Sequence, residues 1–177
     1  MSKAIPELPP FDAKTGLANV IIETPKHSRN KFKYDEERGI FELHRTLPAG
    51  TVFPFDFGYL PSTVGPDGDP LDVLVLMDEP AFTGCMVPAR LVGVIEAEQT
   101  EKGANKPERN DRIIAICAHS QENERAQDLK DVSDSILSQI EHFFMSYNEF
   151  DGKKFKPIGR KGRETAEKIV KHSAKKK

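Results

Sequence analysis

The stretch Asp67-Gly68-Asp69-Pro70-Leu71-Asp72-Val73-Leu74-Val75-Leu76-Met77 joins a crowded acidic turn to an unbroken apolar run. The second half, Val73–Met77, has the pattern of a strand buried on both faces. The first half is stiff. Pro70 fixes its own φ and lacks a backbone donor, and it pushes Asp69 toward an extended conformation. In an extended segment, positions i and i+2 point the same way, so Asp67 and Asp69 project together and Asp72 follows at the strand entrance. Carboxylates held this close repel one another unless something positive lies between them. Hard, oxygen-seeking cations such as Mg²⁺ are the natural occupants.

Outward from this stretch, further short β-like runs appear at Asn19–Glu23, Lys31–Tyr34, Ile40–Arg45, Met86–Glu96 and Arg112–Ala118. Turn signals separate them: Glu37-Arg38-Gly39, Pro48-Ala49-Gly50 and Thr83-Gly84. Many short strands with no helix between them suggest a small antiparallel barrel. The polar segment Gln99–Asn110 reads as a loop or a loose hairpin. From Ser133 the period changes. Ile136, Leu137, Ile140, Phe143, Phe144 and Tyr147 form the stripe of an amphipathic helix, with Ser133 as its N-cap and Asp151-Gly152 as its end. A second helix is expected from about Gly162 to Ser173, with Ala166, Ile169 and Val170 inward. The expected class is therefore mainly β with C-terminal helices (α+β). One domain of 177 residues would comprise a barrel over about residues 17–120 and a helical cover over about 131–175.

Composition narrows the function. No window is long and apolar enough for a membrane helix, and Met1 to Gly16 lacks the apolar centre of a signal peptide. Cys85 and Cys117 lie in apolar surroundings, as reduced thiols of a cytoplasmic protein do. The net charge of −2 hides an asymmetry: Lys153–Lys177 carries eleven Lys or Arg against two Glu, so the rest of the chain is strongly acidic. An acidic body disfavours nucleic acid. The basic tail has no aromatic platform and reads as a solvated helix with a frayed lysine end.

Other readings of the acids fare worse. An EF-hand loop needs Gly at its sixth position and flanking helices, whereas Asp72 and a strand stand here. A phosphotransferase of the Asp-x-Asp type would have its strand before the pair, not after. A plain polar turn explains Asp67, Gly68 and Pro70, but not Asp69 and Asp72 as well.

Asp67-Gly68-Asp69-Pro70-Leu71-Asp72-Val73 closely resembles the signature of soluble family I inorganic pyrophosphatases. Its surroundings keep that family's order. Val20-Ile21-Ile22-Glu23-Thr24-Pro25 resembles an acidic strand end, and Ser28-Arg29-Asn30-Lys31-Phe32-Lys33-Tyr34-Asp35 a substrate-lysine segment. His44-Arg45 resembles the phosphate arginine, and Phe53-Pro54-Phe55-Asp56-Phe57-Gly58-Tyr59-Leu60-Pro61 an aromatic loop. His142-Phe143-Phe144 with Tyr147 resembles the family's helix. The resemblance spans Asn19 to Asn148. It implies a closed five-stranded barrel of OB type with peripheral helices, a homo-oligomer, and Mg²⁺-dependent hydrolysis of pyrophosphate by direct in-line attack of metal-activated water. Several Mg²⁺ ions per site are implied, with Mn²⁺ as a substitute.

The resemblance also implies roles. Asp67, Asp72 and Asp69 would hold metal, Asp69 would also orient or deprotonate the attacking water, and Glu23 would be a metal ligand at the rim. The family has two acids in the hairpin before the strand beginning at Arg112. Asp111 and Glu98 are the candidates, or Asn110 and Gln99 if the alignment shifts by one. Lys31 and Arg45 would grip phosphate. Arg45 shares a strand face with Phe41 and Leu43 by the period-two rule, which sets it at the end of an inward-facing row at the barrel mouth. Tyr147, whose hydroxyl needs a partner, would add a contact to phosphate.

Four positions depart from the family pattern: Lys33 for Glu, Phe53 and Phe57 for Tyr, and Asn148 for Lys. Lys33, on the same strand face as Lys31, is expected to restore at the substrate the cation lost at Asn148. The departures leave open a degenerate relative that binds phosphate or metal without turnover. A nucleic-acid-binding module on the same barrel is the remote alternative, since the acids would repel a phosphate backbone.

Overall fold

The computed structural model describes residues 7–175. Residues 1–6 of the Pro-rich start and the last two lysines of the tail lie outside the described residues. The strands are β1 (Ala18–Thr24), β2 (Asn30–Asp35), β3 (Ile40–Thr46), β4 (Asp56–Tyr59), β5 (Asp72–Leu76), β6 (Met86–Thr100), β7 (Glu108–Arg109), β8 (Arg112–Cys117) and β9 (Lys154–Gly162). The helices are α1 (Asp134–Glu149) and α2 (Arg163–Ser173), with a 3₁₀ turn at Leu129–Asp131.

Five strands close into a ring. β1 pairs with β4, with Ile21 opposite Tyr59, and with β6, with Val20 opposite Val87. β4 pairs with β5, β5 with β8, and β8 returns to β6. Closure gives each strand of the ring a partner on both sides, but β1 covers only Met86–Ala89 of β6, and the rest of that edge is left open. The apolar runs are explained by burial on both faces. Leu74, Leu76, Ile114 and Ile116 pack with Leu137, Ile140 and Phe144 of α1. Val73, Val75, Ile113 and Ala115 pack with Val20, Ile22 and Leu60, and with Ala166 and Val170 of α2.

Three details correct the expectation. The barrel is not wholly antiparallel: β5 and β8 run parallel, with Val73 beside Ile113. β6 continues four residues beyond Glu96 to Thr100 and forms a hairpin with β7 across the polar segment. Two strands were not foreseen. β4 lies in the aromatic loop, and Gly58 is required there, because a β-carbon would stand 2.0 Å from the Ile21 carbonyl oxygen. β9, rich in lysine and interrupted by Pro157, pairs with β6 alone, the edge position at which proline and charge are tolerated.

The helices follow their signals. The Ser133 side chain accepts from the Ile136 N–H, and Gly152 adopts φ 69° just past the end of α1. Helix α2 starts immediately after Gly162.

One buried acid makes stability pH-dependent. Asp56 has no exposed surface; one carboxylate oxygen accepts from the Ala81 N–H at 3.1 Å and the other has no partner among the described residues. Burial raises its pKa to about 6, against the lowering pull of its backbone donors. The folded value lies above the unfolded one, so the contribution is fully present below about pH 4 and is lost as pH rises through about 6. Asp56→Asn keeps the acceptor for Ala81 and cannot ionise. In urea melts from pH 4 to 7.5, its stability relative to wild type should improve by about 2 kcal/mol. A pH-independent difference would show that Asp56 does not titrate in this range.

Candidate active site

A cleft of about 710 Å³ opens where the β2–β3 hairpin faces the acidic turn. The hairpin is not part of the ring; side chains of β1 attach it. Thr24 Oγ1 accepts from the Phe32 N–H at 3.1 Å and donates to the Phe32 carbonyl at 3.2 Å. Glu23 Oε1 accepts from the Tyr34 N–H at 2.8 Å.

The turn forms the acidic wall. Gly68 sits at φ 87°, where a side chain would be strained. Asp67 Oδ1 accepts from the Asp69 N–H at 3.1 Å, and Thr63 Oγ1 from the Leu71 N–H at 3.0 Å. Asp67, Asp69, Asp72 and Glu23 all line the cleft. Their partners differ. Lys33 Nζ stands 3.4 Å from Asp69 Oδ2, and Arg112 Nη1 3.0 Å from Asp72 Oδ2. Among the described residues Asp67 and Glu23 form no ion pair. Burial, with the Asp72 charge beside it, raises Glu23 to about pKa 7 despite the Tyr34 N–H. Asp67 is also raised, first by burial and then by Asp72 and Asp69.

The opposite wall is cationic. Lys31 and Arg45 lie directly across the hairpin from each other. Lys31 Nζ stands 5.5 Å from the Tyr147 ring centre and 5.6 Å from that of Phe57. The Arg45 guanidinium lies 4.2 Å over Tyr147. Arg45 Nη1 pairs with Asp151, while its Nε and Nη2 are buried without a partner among the described residues. The route by which Arg45 arrives differs from the expected inward row. Lys31 pairs with Arg45 but Phe32 with Leu43, so His44 is an extra residue on β3. Such a bulge re-aims the side chains beyond it. Leu43 is 57% exposed, while Arg45 reaches the cleft. The imidazole of His44 is held below its usual pKa by burial and by Lys31, Lys33 and Arg45.

Of the residues singled out in the sequence, Glu23, Lys31, Lys33, Arg45, Asp67, Asp69, Asp72 and Tyr147 are brought together. Glu98 and Asp111 do not line this cleft, although Asp111 shares an adjoining cavity with Asp67 and Asp72. Asp111 Oδ1 accepts instead from the Ala97 N–H at 3.0 Å and from Arg109 Nε at 2.6 Å. Gln99 and Asn110 face the cleft in their place, bonded to each other at 3.1 Å. The one-residue alternation of a strand separates the two pairs.

Sequence reasoning missed Arg112, which is 4% exposed. Its signal was the parallel pairing of β5 and β8. Asp72 precedes Val73 and Arg112 precedes Ile113, and these strands pair in register. Asp151, Glu101, Lys153 and Arg109 also line the cleft, with nothing in their local sequence to mark them among other surface charges.

The donor set suits a hard divalent cation: carboxylate oxygens, one of them on Asp67, crowded by like charge and lacking a cationic partner. No three His, Cys, Asp or Glu among the described residues stand ready as a complete cage. Mg²⁺ does not require one, since it commonly takes one or two carboxylates and completes its shell with water and phosphate oxygens.

Comparison with known proteins agrees with this geometry. The family model described as inorganic pyrophosphatase matches residues 20–177. The inorganic pyrophosphatase of Thermus thermophilus is 38% identical over 149 residues, covering 84% of this chain and 82% of its own. That of Synechocystis is 34% identical over 150 residues, covering 85% of each. The chain belongs to the inorganic pyrophosphatase family. The crystal structure of the Thermus thermophilus pyrophosphatase superposes with a TM-score of 0.86 at 33% identity, covering 97% of each chain. The pyrophosphatase fold thus accommodates this chain's departures. Phe53 is buried against Phe57, Phe143 and Tyr147. Asn148 is buried and its side-chain amide donates to the Phe144 carbonyl at 2.8 Å. The expected role of Lys33, a cation at the substrate in place of the charge lost at Asn148, finds a different placement: its ammonium stands 3.4 Å from Asp69 Oδ2 and not beside Lys31 and Arg45 on the cationic wall.

Proposed function

We propose that this pyrophosphatase-family enzyme hydrolyses inorganic pyrophosphate to two phosphates by direct in-line attack of water. One observation carries the reading: a carboxylate wall faces a cation wall across one cleft, and the cation wall holds buried guanidinium N–H groups without partners. Lys31 and Arg45 grip the phosphoryl oxygens, with Tyr147 beneath them as an aromatic platform. Arg45 Nε and Nη2 are the donors left to bind substrate. Asp69 orients the attacking water and takes its proton. Asp67, Asp72 and Glu23 would hold Mg²⁺, or Mn²⁺ in its place. Divalent ions at such a site polarise phosphoryl oxygens and lower the pKa of bound water. With little covalent chemistry to perform, the residues act by positioning and by charge.

The same reading takes the chain as one domain, acting as a homo-oligomer in the cytoplasm. Free Cys85 and Cys117 suit a reducing compartment, and exposed Phe82 and Phe150 offer apolar contact surface. Among the described residues no helix is long and apolar enough to cross a membrane.

A second reading has specific support. Gln99, Asn110 and Asn148 bring neutral amides into the cleft, which suits a relative that binds without turnover. Phosphate release from pyrophosphate decides between them. Wild type should release phosphate with Mg²⁺ and stop with EDTA. Asp69→Asn should fall about 10²–10⁴-fold, the range for losing a positioned general base. Mn²⁺ uptake without phosphate release would favour the second reading. Salt-sensitive retention of single-stranded DNA would point instead to a nucleic-acid module.

A further inference from the structure

We propose that Lys33 is a built-in counter-ion for Asp69, a positioning residue that stands in for a bound cation, so that the substrate-free cleft loads a single divalent ion. The inference rests on the reading of this cleft as a divalent-dependent pyrophosphatase site.

The placement of Lys33 is the first ground. It shares a strand face with Lys31 and could have joined the phosphate wall. Its Nζ instead crosses to the acidic turn and stands 3.4 Å from Asp69 Oδ2. Asp72 is likewise served from within the protein, by Arg112 at 3.0 Å. Of the three acids on the turn, only Asp67 has no ion-pair partner among the described residues.

The second ground is the pair of neutral amides beyond it, beside which the cleft-lining Glu101 is already paired with Lys153 at 2.7 Å. Gln99 and Asn110 are bonded to each other, and Asn110 also accepts from Arg112 through its carbonyl and its side-chain oxygen. An amide pair whose polar atoms are engaged by each other, by Glu101 and by Arg112 carries no charge with which to draw a cation. Glu98 and Asp111, the nearest acids in sequence, do not line the cleft.

The charges then balance in a definite way. With all four ionised, Glu23, Asp67, Asp69 and Asp72 supply four negative charges at the acidic wall, and Lys33 and Arg112 cancel two. One divalent ion neutralises the remainder. A second ion would have to approach Asp69 against the Lys33 ammonium.

Lys33 and Asp69 are both substantially exposed, 43% and 64% by side chain, so water moderates the interaction. A unit charge at this range still shifts the binding of a divalent ion by about tenfold or more. The test is uptake of Mn²⁺ by the full chain without pyrophosphate, measured by calorimetric titration and equilibrium dialysis. Wild type should take up one ion per chain. Lys33→Glu should take up a second ion, or bind about tenfold more tightly. Lys33→Gln should move in the same direction by less. The two variants separate charge from shape, and if Lys33→Glu fails to fold, Lys33→Gln decides alone. Equal stoichiometry and affinity in all forms overturns the inference, as does uptake of two ions by wild type.

Phosphate release measured in parallel keeps the two conclusions apart. Hydrolysis with unchanged Mn²⁺ uptake sinks the counter-ion role and leaves the enzyme standing. Shifted uptake with no hydrolysis in any form does the reverse.

Discussion

Asp67→Asn should lower Mg²⁺-dependent pyrophosphate hydrolysis by about 10²–10³-fold, as removal of a key electrostatic group does, while making the metal-free protein more stable at pH 8. Both halves come from one feature. Asp67 is the acid of the turn with no lysine or arginine ion-pair partner among the described residues, and burial with Asp72 and Asp69 beside it pushes its carboxyl upward. Its pKa is raised on folding, so its ionised form costs stability once pH exceeds the ordinary carboxylate range. Asn is nearly isosteric and stays neutral. The side-chain oxygen of Asn can still accept the Asp69 N–H that Asp67 Oδ1 now accepts at 3.1 Å, so the turn should survive. Opposite shifts in activity and melting temperature are the expected mark of a residue kept for function at a cost to the fold. Thermal melts in EDTA and initial rates across a Mg²⁺ series measure them. A lower melting temperature would mean that Asp67 chiefly supports the turn. An unchanged rate would remove it from the metal site.

The parts of this protein legible in the sequence were those governed by local rules. The helix beginning after Ser133 could be placed because a capping side chain and an apolar stripe act within a few residues of each other. Val73–Leu76 and Ile113–Cys117 were legible as strands because burial on both faces leaves continuous apolar runs. The acidic turn was legible because Pro70 and Gly68 restrict the chain where the carboxylates sit. What remained hidden depended on pairing. β9 carries lysines and a proline, and it becomes a strand only because β6 offers it an open edge. The parallel alignment of β5 and β8 is a property of the ring, not of either segment. The bulge at His44 reverses the face that strict alternation assigns to Arg45, and no residue type nearby announces it. A one-residue difference in register likewise decides whether acids or amides of Gln99–Asp111 look into the cleft.

Arg112 shows how far such pairing reaches, and its removal should be the most damaging single change in the site. Its guanidinium lies 4.6 Å from the Phe144 ring centre and 5.2 Å from that of Phe155, so it packs against the core from within. It also holds Asp72 and donates to the carbonyls of Asn110 and Asp111. Arg112→Ala would open a void against two aromatic rings and leave Asp72 without its cation. Loss of one partner from a largely buried pair costs about 3–5 kcal/mol. Asp72 keeps some contact with water, its side chain being 28% exposed, so about 3 kcal/mol is expected, read as a lower urea midpoint. Arg112→Met restores much of the packing but not the charge, and should recover only part of the loss. Combining it with Asp72→Asn removes the orphaned carboxylate as well, and should recover most of the remainder. That non-additivity separates the ion pair from the packing. A cost below about 1 kcal/mol for Arg112→Ala, the value of an exposed ion pair, would show that this arginine is not the joint between core and cleft. Where the cost is large, the cleft cannot be redesigned for other anions at Arg112 without first rebuilding the core behind it.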